Sequence, residues 1–119
     1  QVDSMLDLLS SRDEFWARYP VPSISMSDST FDGAGRWKGT RKGSPWNGRT
    51  WPVVNSHILE GLTYWAERGN KKAAKLAGDL LKRTLKMMSG ELDGTQEANC
   101  LEHFHPENGI GSRATAAST

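Results

Sequence analysis

Apolar positions along the chain fall into three runs of helical period, separated by stretches that have none. In the first run, Val2, Met5, Leu6, Leu8 and Leu9 share one side, and Asp3 or Ser4 can cap the start. Phe15, Trp16 and Tyr19 continue that side, so the pattern predicts a helix ending just before Pro20, because a residue preceding proline avoids the α region. In the second run Val54, Ile58, Leu62 and Trp65 recur at spacings of four, four and three. This predicts a helix over about 52–68, with Thr50 as N-cap, Pro52 in the first turn and Trp65 in the core. Gly69-Asn70 supplies a left-handed stop. The third run, about 71–89, turns Ala73, Leu76, Ala77, Leu80, Leu81, Thr84, Leu85 and Met88 inward and its lysines outward, and Gly90 ends it. Two helices joined by two residues must lie antiparallel.

The stretches between these runs are read as loops. From 20 to 49 the chain carries Pro20, Pro22 and Pro45 with Gly33, Gly35, Gly39, Gly43 and Gly48, which makes a long structured loop. Loops of that length inside a compact domain are usually functional or mobile. Residues 91–119 hold no strong period and read as loop, with a short extended piece around 99–104. The fold class is therefore all-α, built from antiparallel helical hairpins with long loops. No internal repeat is visible, although a helical hairpin of this size is the unit from which helical toroids are built.

Composition narrows the picture in three ways. The 119 residues suffice for one small domain or part of a larger one. Apolar residues are only 36%, which implies that some of the buried surface lies against something outside the chain. Lys plus Arg is 15 and Asp plus Glu is 14, so no basic stripe argues for nucleic acid. The cluster from Arg36 to Lys42 reads as solvated charge in a Gly-rich loop, or else as the rim of a ligand site. One cysteine, Cys100, excludes an internal disulfide, and no apolar run approaches the roughly 20 residues that span a bilayer. No signal-peptide pattern opens the chain, but an internal segment would lack one too, so the compartment stays open.

The chemistry concentrates in two segments about fifty residues apart. Pro45-Trp46-Asn47-Gly48-Arg49-Thr50-Trp51-Pro52 sets two indoles, an amide and a guanidinium at a loop-to-helix junction. Glu102-His103-Phe104-His105-Pro106-Glu107-Asn108-Gly109 puts one carboxylate at the head of an aromatic and imidazole run. Indole faces stack on the apolar face of a sugar ring, and their N–H can still bond a hydroxyl. A placed carboxylate suits the activation of water. Trp46, Asn47, Arg49, Trp51 and His103 are thus candidate substrate contacts and Glu102 the candidate base, with Trp37 a weaker aromatic candidate. An ordinary salt bridge is an equal reading of Arg49, and His57 reads as a plain helix residue. Cys100, His103 and His105 put three ligand types into six residues without a second cluster, which falls short of a zinc site. Nothing resembling a cysteine-hydrolase signature surrounds Cys100. No metal or other cofactor is implied.

Together the two segments resemble the C-terminal part of the (α/α)6 toroid in glycoside hydrolases of the family 63 and mannosylglycerate-hydrolase-like group. Trp46, Gly48, Trp51, Pro52 and Asn55 fit that group's Trp-x-Gly-x-x-Trp-Pro stretch and the Asn three residues after it. Glu102, His103, Phe104, Pro106 and Gly109 fit its second motif, and Pro20-Val21-Pro22-Ser23, Asp28 and Phe31 look like the preceding loop. Arg49 stands where Pro is usual, and His105 where Asp or Asn is usual.

The resemblance implies that residues 1–119 form the C-terminal part of a toroid catalytic domain that packs against the remainder of the toroid. It also implies that Glu102 is the general base of an inverting mechanism, while Trp46 and Trp51 line sugar subsites. The general acid then lies outside this chain, and the chain alone is expected not to hydrolyse glycosides. An alternative is a non-catalytic carbohydrate-binding or toroid-derived scaffold protein. A further alternative is a helical hairpin whose apolar faces meet a protein partner. The expected partners are a carbohydrate or small glycoside, with no nucleic acid and no membrane.

Overall fold

A computed structural model describes residues 1–36, 45–92, 94 and 101–112. Trp37, the cationic cluster beyond Arg36, Cys100 and the start of the extended piece at Asn99 lie outside the described residues.

The structure is all-α in character, with three helices among the described residues: α1 (Val2–Leu9), α2 (Pro52–Glu67) and α3 (Lys71–Met88). A 3-10 turn covers Pro45–Asn47, and the short strands β1 (His103–Phe104) and β2 (Gly111–Ser112) pair antiparallel. Helices α2 and α3 form the expected antiparallel hairpin. Gly69 makes the turn at φ 91°, a conformation costly for a residue with a Cβ. Asn70 then caps α3, its side chain accepting from the Ala73 N–H at 2.9 Å.

Five details differ from the sequence reading. Helix α1 stops at Leu9 rather than running toward Pro20, and Gln1 rather than Asp3 or Ser4 holds the N-cap position. The Ser11 carbonyl accepts from the N–H groups of Glu14, Phe15 and Trp16, at 3.2, 3.1 and 2.8 Å, winding the chain into a tight turn. Ser and Asp around this point favour such local bonding over helix continuation, and Trp16 still reaches the core. Thr50 does not cap α2, because its hydroxyl is buried and donates to the Tyr19 carbonyl at 2.8 Å; Trp51 occupies the cap position.

The other two concern the helix faces. Trp65 remains 40% exposed, at the mouth of an apolar groove between α1 and α2 lined by Met5, Leu6, Leu9, Ile58 and Leu62. On α3 the buried stripe runs Ala73, Leu76, Leu80 and Met87. At about 100° of rotation per residue, Leu81 lies one step and Leu85 about 140° round from Leu80, and both are exposed.

Two apolar clusters hold these pieces. The larger joins Leu6, Trp16, Val21, Leu62, Ala73, Leu76 and Leu80 beneath the hairpin. The smaller joins Tyr19, Met87 and Phe104, with Met88, Leu92 and Leu101 packed on it, at the end where α2 begins and α3 finishes. Polar ties add direction. Asp79 on α3 accepts from Trp16 Nε1 at 3.0 Å and from Arg83 Nε at 2.9 Å, and Arg83 also donates to the Arg18 carbonyl at 2.6 Å. The neighbouring donors keep the Asp79 carboxyl below its ordinary range against the cost of its burial.

Candidate functional site

An antiparallel hairpin returns the chain to the end from which it left, so the segment after α3 comes back to the start of α2. Thr50 and Phe104 then exchange both backbone hydrogen bonds at 2.8 Å. Pro22 bridges to Thr50 on the other side, and Phe104 pairs with Gly111, so four segments lie side by side. Thr50 and Phe104 are fully buried. Glu102 and His103 immediately precede this anchor, while Arg49 and Trp51 flank it.

Asn55 fastens the outer segment. Its Oδ1 accepts from the Val21 N–H at 3.0 Å, and its Nδ2 donates to the Pro20 carbonyl at 2.7 Å and to Thr84 Oγ1 at 3.1 Å. Asn55 is 2% exposed, and its bonds to Val21 and Pro20 are buried while the one to Thr84 is part-buried; an unmade bond in such a place is expensive.

Trp46 and Trp51 are stacked, with ring centroids 3.8 Å apart and planes 2° from parallel. The two rings differ in access: Trp46 is 50% exposed and Trp51 only 8%. Trp46 is therefore the more accessible ring of the pair. Trp51 lies behind it and tilts against His103 at 4.7 Å.

Asn47 is buried, and its Nδ2 donates to the carbonyls of Thr30 and Arg36 at 3.1 and 2.9 Å. The Asp32 N–H donates to the Asn47 carbonyl at 2.9 Å, so Asn47 pins the 30–36 loop beside the indoles. Gly48 follows at φ 155°, with the Asp32 carbonyl where a Cβ would stand.

Arg49 is 5% exposed. Its Nε–H donates to His103 Nδ1 at 3.1 Å, and its terminal nitrogens donate to the carbonyls of Gly33 at 3.4 Å, His103 at 3.5 Å and Ile110 at 3.3 Å. Burial pushes the guanidinium down to about 10, with the field of Asp32 opposing, so it stays charged at neutral pH. Burial first, and then the Arg49 charge, lowers both His103 and His105 below the ordinary 6.5; Glu102 opposes this at His103, and Glu107 and Asp32 at His105. His105 Nδ1 accepts from the Glu107 N–H at 3.1 Å, closing the turn that carries the second segment.

Glu102 is exposed. It lines an open groove of about 310 Å³ with Trp51, Pro52, Val53, Met88 and Leu101. The chemical inventory is thus one solvent-facing carboxylate, one exposed indole, an imidazole and an apolar floor. Among the described residues no group of three His, Cys, Asp or Glu side chains converges to hold a metal ion. No helix in the described part is long and apolar enough to cross a membrane.

Of the residues marked by sequence, Trp46, Trp51, Arg49, His103 and Glu102 gather at this junction. The Asn47 side chain bonds the 30–36 loop instead. Sequence reasoning missed the direct Arg49–His103 bond and the groove floor of Val53, Met88 and Leu101. Nothing local signals the bond, since the two residues meet only because the hairpin returns.

A comparison with curated proteins gives no match. A sequence profile described as the mannosylglycerate hydrolase MGH1-like glycoside hydrolase domain matches residues 1–117. Spanning nearly the entire chain, this match shows that the protein belongs to that family of glycoside hydrolase domains.

Proposed function

We propose that this chain is the C-terminal part of an (α/α)6-toroid catalytic domain of an inverting glycoside hydrolase, and that it supplies the general base, Glu102, and an aromatic sugar subsite. In an inverting reaction one carboxylic acid protonates the leaving oxygen while a carboxylate deprotonates a water on the opposite ring face. The two carboxyl groups stand roughly 6.5–9.5 Å apart to admit that water. Glu102 fits the second role, being a solvent-facing carboxylate at the rim of an apolar groove. The acid partner comes from the part of the toroid that this chain packs against.

The observation that carries the reading is the Thr50–Phe104 pairing, which seats Glu102 on the same groove as Trp51. Trp46 is the more accessible indole, Trp51 backs it, and His103, tilted against Trp51 and next to Glu102 in the chain, is a hydrogen-bonding group for a sugar hydroxyl. Asn47 and Arg49 shape the subsite from within its wall.

The test is Glu102→Gln in the complete catalytic domain. Loss of a general base lowers kcat by about 10²–10⁴-fold, with KM changed little because the glutamine preserves shape. A variant with wild-type kcat would remove Glu102 from the mechanism.

A further inference from the structure

Arg49 is buried in the wall of the site rather than displayed in its mouth, and its Nε–H meets a specific acceptor, Nδ1 of His103, at 3.1 Å. A guanidinium is donor-only, and a nitrogen that accepts from it must present a lone pair. We infer that Arg49 is a positioning residue that holds His103 as the neutral tautomer protonated at Nε2, so that the imidazole keeps one N–H donor and carries no charge beside Glu102.

Three features make the arrangement rigid. Backbone pairing of Thr50 with Phe104 fixes the neighbouring residues on both segments at 2.8 Å. The Trp51 ring lies against the imidazole at 4.7 Å. Two further Arg49 bonds, to the His103 and Ile110 carbonyls, tie the guanidinium to the strand that bears the histidine and to the residue just before β2. The charged groups facing His103 are Arg49, from the segment before α2, and Glu102, on its own segment; Arg49 disfavours a second positive charge and Glu102 favours it. Burial adds to the Arg49 side, and the neutral form prevails.

The consequence for catalysis rests on the reading of Glu102 as the base. An imidazolium beside a carboxylate weakens that carboxylate as a base, because the pair stabilises the ionised form. A neutral imidazole leaves the carboxylate basic and still donates a hydrogen bond. Arg49 thus extends downward the pH range in which His103 is uncharged beside Glu102.

The tautomer can be read without any turnover, by ¹⁵N NMR of the intact chain, with His57, His103 and His105 assigned through single His→Gln variants. Wild-type His103 is expected as the Nε2–H form, titrating below the ordinary histidine midpoint. Arg49→Met removes both donor and charge, and is expected to give mixed tautomers and a higher midpoint. Arg49→Gln keeps an N–H donor without the charge, and is expected to retain the Nε2–H form while its midpoint rises; it serves alone if Arg49→Met does not fold. A wild-type Nδ1–H or mixed form, or a His103 midpoint unmoved in the Arg49 variants, would overturn the assignment. Because no glycoside is involved, that failure is distinct from failure of the base reading.

Discussion

Stacking at 3.8 Å gives the two indoles of the first segment different duties, and their variants should separate them. Trp46→Ala removes the more accessible stacking ring. Aromatic contacts of this kind contribute about 0.5–1.5 kcal/mol beyond their area, so KM in the complete catalytic domain is expected to rise several-fold with kcat retained. Trp51→Ala excavates a buried site, and Trp-to-Ala changes in cores cost about 3–5 kcal/mol. Its expected signature is lower stability in urea before any question of binding. Equal stability of the two variants would contradict this division. The sequence places both tryptophans at the site by spacing alone, but it cannot rank their exposure. That ranking depends on which ring the returning His103 covers, a contact between residues 52 positions apart in the chain.

At the level of elements, the loop-to-helix junction is held by buried polar bonds more than by apolar contact. Asn55 is the clearest case, since one amide satisfies both sides of the Pro20–Val21 stretch and reaches Thr84 on α3. Asn55→Ala strands at least one buried donor and one buried acceptor, each worth about 1–3 kcal/mol when left unmade. A fall of about 2–4 kcal/mol in unfolding free energy is expected in urea, together with faster amide exchange at Val21; a loss below the error of the fit would contradict this. Both long helices were legible because their apolar periods are sustained and Gly69-Asn70 marks the turn. The end of α1 was not, since Phe15 and Trp16 continue the apolar side although the chain has already turned at Ser11. The Thr50 cap failed for a related reason: the hydroxyl finds a partner in Tyr19, 31 residues earlier, which no local rule anticipates. On α3 the period itself favours Met87, which falls within the stripe of Ala73, Leu76 and Leu80, whereas Leu85 lies about 140° round from Leu80; placing Leu85 inward went against the strict period.

The molecule is a slab 18 Å in its shortest dimension, little more than one layer of helices. Met5, Leu8, Trp65, Leu81 and Leu85 remain exposed on it, in keeping with the proposed place inside a larger toroid. The titrating groups set how such a slab responds to acid. His103 and His105 have folded values below their unfolded 6.5, so the unfolded chain binds protons first as pH drops. Stability is therefore full above pH 6.5 and declines as pH falls from there toward the folded values. Glu14, Asp28 and Asp79, also lowered, add their loss only in the carboxylate range. Two-stage acid destabilisation is expected in thermal melts, and the His103→Gln, His105→Gln double variant should lack the first stage; a wild-type Tm flat from pH 7 to about 5 would contradict it. The family was legible from two short motifs, whereas the way Arg49 ties them together emerged only in three dimensions. The most direct measurement of the central claim is turnover by the complete catalytic domain carrying Glu102→Gln, assayed on a glycoside whose leaving group needs no protonation, such as a glycosyl fluoride. If Glu102 activates the water, the loss of about 10²–10⁴-fold persists on this substrate, because acid assistance is irrelevant to it. Recovery of near wild-type kcat on the fluoride would assign Glu102 to leaving-group protonation and contradict the account.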